Sequence, residues 1–385
     1  AACAAPLAHD APRCVRCQTR YCSATCQRVH WKRGGHKKQC EEIAEYGGAE
    51  KTHGILKVAK ADEAAVSACA NLPKGAKCHI CGQKNHPSGG GIGLVRGCSC
   101  RGTEGFMHLA CLFDIAHAAF RTQRSWTRWT TCRCCEQEFH GVVRCALGWA
   151  CWHAYLNEPD DELRARAMTE VGIGLMEVGK YEEAVKVLEA AVDVHSNRGL
   201  PSECPLTRKE VANRCITQCH LATCCSTLGW RSGKLSNKHP SDKLRRVFDW
   251  VLENDPTAGI RYLFATRLAE CLLDQHLVKE AMRFLLEEAQ SAQNDLGHDH
   301  AITIELIFQL SQATYKFHFF AGKTYRADLI DSILINDKAK ERALRVLGGD
   351  HPLTRKIRAA LKVAVNEQLD WTIDDFPERL HMRAW

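Results

Sequence analysis

The cysteines of this chain are not spread evenly. Of 23 in 385 residues, 17 lie at or before Cys151, and most of those stand in pairs separated by one to three residues. A tight turn lets two side chains at that spacing converge on one centre, and two pairs complete a tetrahedron of thiolate and imidazole ligands. The same crowding in a small secreted domain would read as a disulfide framework. Here the start, Ala1 to Asp10, shows no basic stretch leading into an apolar one, so no secretory signal is expected. Bound Zn2+ in a reducing compartment, cytoplasmic or nuclear, is the expectation. The chain opens on Ala1 and not on Met, which points to residues upstream.

The remaining composition excludes little. Hydrophobic residues make up 45% and charged residues 25%, the mix of an ordinary soluble protein. No run reaches the roughly 18 apolar residues that span a bilayer, so no membrane partner is expected. The net charge of +7 argues only weakly for nucleic acid. Four stretches differ in character. Residues 1–40 are rich in Cys, Arg and Lys. Residues 41–75 have helix-forming composition around Ile43–Glu45 and Ile55–Cys69 and break at Pro73 and Gly75, as a helical linker would. Residues 76–141 are again rich in Cys and Gly. From about Leu147, and over 147–385, apolar residues recur at helical spacing.

In the first stretch Cys14 and Cys17, Cys22 and Cys26, and His36 and Cys40 form three ligand pairs. The run resembles the MYND zinc finger, on the strength of YC at 21–22, CQ at 26–27, HW at 30–31 and the closing GHKKQC. That resemblance implies two interleaved zinc sites. One is Cys14, Cys17, His36 and Cys40. The other takes Cys22 and Cys26 with an upstream pair, of which this chain holds only Cys3. It also implies a peptide groove lined by Gln27 and Trp31. Lys32, Arg33, Lys37 and Lys38 read as a solvated basic face. MYND fingers also occur in SET-domain methyltransferases, but no cofactor or catalytic motif of that kind follows.

A second cluster follows instead. Cys78 and Cys81, Cys98 and Cys100, His108 and Cys111, and Cys132 and Cys135 give eight ligands in four pairs, enough for two closed tetrahedral sites and, with the finger, up to four ions in all. The order of four cysteines, one histidine and three cysteines occurs in RING-CH and in PHD fingers. The single residue between Cys98 and Cys100 and the seven before His108 resemble RING-CH, as do GCSCRGTEGFMHLACL and CRCCEQEF. The resemblance implies a cross-brace, with Cys78, Cys81, His108 and Cys111 on one zinc and Cys98, Cys100, Cys132 and Cys135 on the other. It further implies docking of a ubiquitin-conjugating enzyme through Ile80 and through Trp126 or Trp129. Two departures from the family pattern stand out: Glu136 follows the last ligand where a basic residue is usual, which stands against ligase activity, and the membrane helices that anchor many RING-CH proteins are not seen here. Cys134 reads as spare, and Cys69, Cys145 and Cys151 read as buried thiols. The SGGGIG run at 88–93 lacks the Lys-Ser/Thr of a phosphate cradle and reads as a flexible loop. No catalytic residues stand out.

The last stretch repeats itself. GLMEVGKYEEAVKVLEAAV (174–192) and CLLDQHLVKEAMRFLLEEA (271–289) share a layout of helix end, short break and second helix, and LGHDHAIT (296–303) echoes LGGDHPLT (347–354). Ala184, Val187, Leu188 and Ala191 fall on one face. Ala281, Phe284, Leu285 and Glu288 occupy the matching places, with Leu286 and Ala289 widening the stripe. Helix pairs of this kind bury their apolar faces only by stacking. The phrases resemble tetratricopeptide (TPR) repeats of the kinesin-light-chain type over roughly Asp161 to Leu369. His298, His300 and His351 fall in the turns and should cap helices or pack between repeats. The expected fold is therefore small zinc-stabilised modules followed by an all-α helical-repeat solenoid. The expected function is protein recognition, either as a ligase-type adaptor whose repeats and finger choose the substrate or as a non-enzymatic scaffold. A chromatin or transcription-associated role is the third reading.

Overall fold

The computed structural model describes residues 12–87, 93–156, 161–197, 208–232, 240–254, 258–320 and 326–369. Packing divides the chain into two compact units. The first comprises Ala1–Gly97 and Gly102–Gly199, and the second Leu200–Trp385 with the four-residue loop Cys98–Arg101. Among the described residues the structure is helical, and β pairing is confined to three isolated bridges: Arg13 with Arg20, Val95 with Met107, and Thr131 with Glu138.

The first unit opens with a turn at Cys14–Tyr21 and two short helices, α1 (Ala24–Arg33) and α2 (His36–Glu45). Ser23 caps α1 by accepting a hydrogen bond from the Cys26 N–H at 3.2 Å. Gly35, at φ +77°, lies in the left-handed region that lets the chain reverse between them. A second reversal at Gly47 and Gly48 leads into α3 (Ala49–Ala68). The Ala49 N–H donates to Cys17 O at 2.8 Å, and Arg20 pairs with Glu50, tying the start of α3 to the first turn. Then come α4 (Leu109–Gln123), α5 (Thr127–Thr130), α6 (Gly141–Tyr155), α7 (Asp161–Glu177) and α8 (Tyr181–Asn197). α6 packs on α3 and α7, and α7 packs on α8. Helices α6 and α7 approach so closely that only glycine fits at two crossings. A Cβ on Gly148 would meet Glu170 O at 2.6 Å, and one on Gly174 would meet the Cys145 Cα at 2.7 Å.

The second unit consists of α9 (Arg208–Ser232), α10 (Pro240–Asn254), α11 (Ala258–Asp274), α12 (Val278–Leu296), α13 (Ala301–Phe320), α14 (Arg326–Val346) and α15 (Pro352–Leu369). Each packs on the next, and α11 also packs on α9 and α13, as in a helical-repeat array. Its core centres on Tyr262, Phe264, Leu268, Leu272 and Leu285.

The repeated phrases of the sequence become repeated turns. Gly179 closes α7 at φ +74°, with the Lys180 N–H donating to Leu175 O at 2.9 Å. His276 closes α11 at φ +59°, with the Leu277 N–H donating to Leu272 O, also at 2.9 Å. His300 and His351 sit at the starts of α13 and α15, where each Nδ1 accepts a backbone N–H, from Ile302 at 3.3 Å and Leu353 at 3.2 Å. Ala184, Leu188 and Ala191 are fully buried, as are Ala281 and Leu285. Leu286 is not part of the apolar stripe: it is 46% exposed. Its helix turns it outward, while Glu288 goes in, held by Arg261 through bonds of 2.8 and 3.1 Å.

Candidate metal centres

Three Cys-x2-Cys turns in the first unit share one backbone design. In each, the N–H after the second cysteine donates to the carbonyl of the first: Gln18 to Cys14 at 2.9 Å, Gly82 to Cys78 at 2.8 Å, Glu136 to Cys132 at 3.1 Å. The N–H of the first cysteine donates onward to Thr19, Gln83 and Gln137, at 2.8, 2.9 and 2.9 Å. The residue after the second cysteine is left-handed each time, with φ of +59°, +71° and +55° at Gln18, Gly82 and Glu136. The turn thus aims both thiols of a pair at one point. Helices supply two other pairs: His36 and Cys40 are one turn apart on α2, and His108 precedes α4, whose first turn carries Cys111.

These pairs converge into three quartets, Cys14–Cys17–His36–Cys40, Cys78–Cys81–His108–Cys111 and Cys98–Cys100–Cys132–Cys135. Within each quartet the ligand atoms all lie within 4.8 Å of one another. The last two quartets interleave along the chain as a cross-brace does. The geometry fits zinc. With Zn–S near 2.3 Å and Zn–N near 2.05 Å, the edges of a tetrahedral site are about 3.8 Å between sulfurs and about 3.6 Å between sulfur and nitrogen. Cys14 and Cys40 place their Sγ atoms 3.7 Å apart, Cys17 Sγ lies 3.4 Å from His36 Nε2, and Cys81 Sγ lies 3.5 Å from His108 Nδ1. Among the described residues no sulfur pair is bonded as a disulfide, and all these cysteines are free thiols. His108 Nε2 faces Lys84 O at 3.1 Å, a contact that puts its proton on that side and leaves Nδ1 for a metal.

Electrostatics points the same way. Burial raises the Cys14 thiol, but the backbone N–H groups of Cys17 and Arg16 and the His36 side chain bond its thiolate and bring it down to about 6. Burial, hydrogen bonding to Cys14 and Cys17, and repulsion from them push Cys40 up to about 12. In the second quartet burial raises Cys78, the N–H groups of Cys81, His108 and Ile80 more than offset it, and Cys111 is driven up by burial and by Cys78. These two quartets therefore each favour one thiolate and penalise another, a conflict that a divalent cation removes. With four protein ligands a zinc site is closed, holds no activated water and is structural.

The other predicted residues divide. Cys22 and Cys26 bring their Sγ atoms to 3.2 Å; Cys3 lies outside the described residues, as does most of the glycine run. Gln27 is half-buried, and Trp31 is 43% exposed, its ring tilted against His36 with the centroids 5.6 Å apart. Ile80 is half-buried in the first turn of the second cluster. Trp126 and Trp129, expected at a docking surface, are 6% and 0% exposed and offer none. They pack with Phe120, Tyr155 and Ala116 in an aromatic core. Cys145 and Cys151 are buried; Cys69 is only half-buried, with the Arg96 N–H on its sulfur at 3.3 Å. Glu136 is exposed.

One group escaped the sequence reading. Arg144 on α6 and Glu170 on α7 form an ion pair in which both side chains are over nine-tenths buried. Glu170 also accepts from Trp126 Nε1 at 2.8 Å, and Arg144 Nη1 donates to Trp129 O at 3.2 Å. The pair holds the α5 segment that leads into Cys132. A charge inside the apolar run GVVRCALGWACW was its one signal.

Among the described residues no helix is long and apolar enough to cross a membrane. No curated protein matches the chain. Among solved structures it is similar to the TPR-like repeats of a kinesin light chain from Podosopora anserina and to a point variant of the same repeats. Both are 15% identical, covering 62% of this chain and 95% of theirs, with TM-scores of 0.36 and 0.37. The MYND finger family model matches residues 1–40. The N-terminal module of this chain is therefore similar to MYND fingers over residues 1–40.

Proposed function

We propose that this protein is a zinc-organised adaptor that joins protein partners through its MYND finger and its helical repeats. The observation that carries the reading is the closure of all three quartets: every ligand position is filled by the chain, which leaves the metal a folding role and assigns function to surfaces. Trp31, exposed beside the first quartet, and half-buried Gln27 line the peptide groove of the finger. The stacked hairpins of the second unit offer the extended face on which repeat proteins lay peptide segments. The test is pulldown of partners by the full chain and by Trp31→Ala. Loss of a partner with zinc content unchanged supports the reading. An unchanged partner set assigns recognition elsewhere.

A second reading has the cross-braced module, of RING-CH type, grip a ubiquitin-conjugating enzyme, with the finger and repeats choosing the substrate. Rate gain would come from positioning a charged thioester near a lysine. It is supported by the interleaved order of the two quartets and by Ile80 in the first turn. Glu136 opposes it, because an exposed acid stands where a cation steadies the conjugate. An autoubiquitination assay across conjugating enzymes decides: activity abolished by Ile80→Ala supports a ligase. Silence that Glu136→Arg relieves marks a ligase that has lost its cation. Silence in both leaves the adaptor reading alone.

A further inference from the structure

Helix α3 carries a stripe that neither reading uses. Ile55, Val58, Ala59, Asp62 and Val66 follow one another at helical spacing. With Glu63, Ser67 and His153 of α6 they line a groove of about 610 Å³, well within the size range of ligand and peptide pockets. The groove is mostly apolar. Ile55 is 37% exposed, and its neighbour Leu56 extends the apolar surface at 64%. Two of its polar groups, on Asp62 and His153, lack partners. Among the described residues nothing ion-pairs or hydrogen-bonds with Asp62, and the buried Nε2 of His153 has no hydrogen-bond partner. Burial pushes the Asp62 carboxyl up to about 6, and burial with Lys51 lowers His153, so near neutral pH the groove holds a carboxylate and a neutral imidazole. An unpaired carboxylate in an apolar wall, with Glu63 at the rim, complements a cation on an apolar body.

We propose that this groove docks a protein segment that lays apolar side chains against Ile55, Val58 and Val66 and pairs a lysine or arginine with Asp62. An amphipathic helix with one basic residue beside its apolar stripe has the matching chemistry. The surface is a third one, separate from the finger groove and the repeats, so it stands or falls apart from the functions proposed above.

A random 16-residue peptide library selected against the zinc-loaded full chain tests it, with Val58→Glu as counter-selection. Both α3 variants leave the metal ligands alone, and zinc content checks their fold. We expect recovered peptides to carry a Lys or Arg next to apolar residues and to lose about tenfold or more in affinity on Val58→Glu and on Asp62→Lys. Changing that Lys or Arg to Glu should weaken binding to the unaltered chain and restore it to Asp62→Lys. Peptides with no basic preference, peptides indifferent to both variants, or no enrichment over the counter-selection would overturn the proposal. So would self-association of the chain that Val58→Glu abolishes, which gives the groove to a second copy.

Discussion

In the N-terminal finger the buried cluster consists of Cys14, Cys17, Tyr21 and Cys40, three of them metal ligands. Behind the second module, helices α4 to α7 bury a cluster of Ala116, Phe120, Trp126, Trp129, Cys151, Tyr155 and Ala167, and none of these is a ligand. Both modules use the same Cys-x2-Cys turn with the same left-handed residue after it. They differ in what would remain if the ligands let go. The finger has almost no apolar core apart from its coordination sphere, so for it metal binding and folding are one event. The second module is backed by α6 and α7, with two tryptophans, a buried ion pair and helices that touch at glycine. A shared ligand motif therefore says little about how far a fold depends on metal; the apolar side chains behind it decide.

Chelation is the strongest test of this contrast. Structural zinc contributes about 10–16 kcal/mol of apparent binding free energy in small fingers. Stripping the chain should abolish amide protection throughout α2 while α4 and α6 stay protected, as hydrogen exchange read by mass spectrometry would show. Loss of both at the same chelator concentration would erase the distinction. Next in size is the ion pair behind the second module. Glu170→Ala leaves Arg144 buried and unpaired, and we expect a loss of about 3–5 kcal/mol in thermal unfolding. Protection in α2 should not change. Trp129→Ala should cost about as much, roughly 3–5 kcal/mol, by emptying the centre of the aromatic cluster. Gly148→Ala presses a methyl into the α7 backbone and should cost about 1–3 kcal/mol, again without loss of zinc from the finger. The smallest effect runs the other way. Gln18→Gly and Glu136→Gly relieve left-handed strain in the two modules, each by about 0.5–1 kcal/mol. Slower zinc release to a chromogenic chelator would register it, and unchanged release would mean the turns bear no strain.

The coordination chemistry was legible because it is local: pairs one to three residues apart must share a turn, and their order along the chain suggests which pairs meet. The repeat turns were legible for the same reason, since GLMEVGKYEEA and CLLDQHLVKEA close on identical hydrogen bonds. Burial was not legible. Trp126 and Trp129 look like docking aromatics in the sequence, and only packing by Phe120 and Tyr155 turns them inward. Arg144 and Glu170 are 26 residues apart, and nothing near either one indicates that they meet. Glu136 shows both sides. Its charge bears on the function of the module, while its conformation is imposed by the turn, which in the corresponding place of the first cross-brace pair takes a glycine.

The interleaving of the two quartets has a practical corollary. A protease nick in the exposed stretch 101–104, between Cys100 and His108, would leave each quartet split, with two ligands on either fragment. The halves would then be riveted by two ions and migrate as one species until a chelator is added, at which point they part. Conversely, no recombinant fragment that starts or stops between Cys78 and Cys135 can retain both sites.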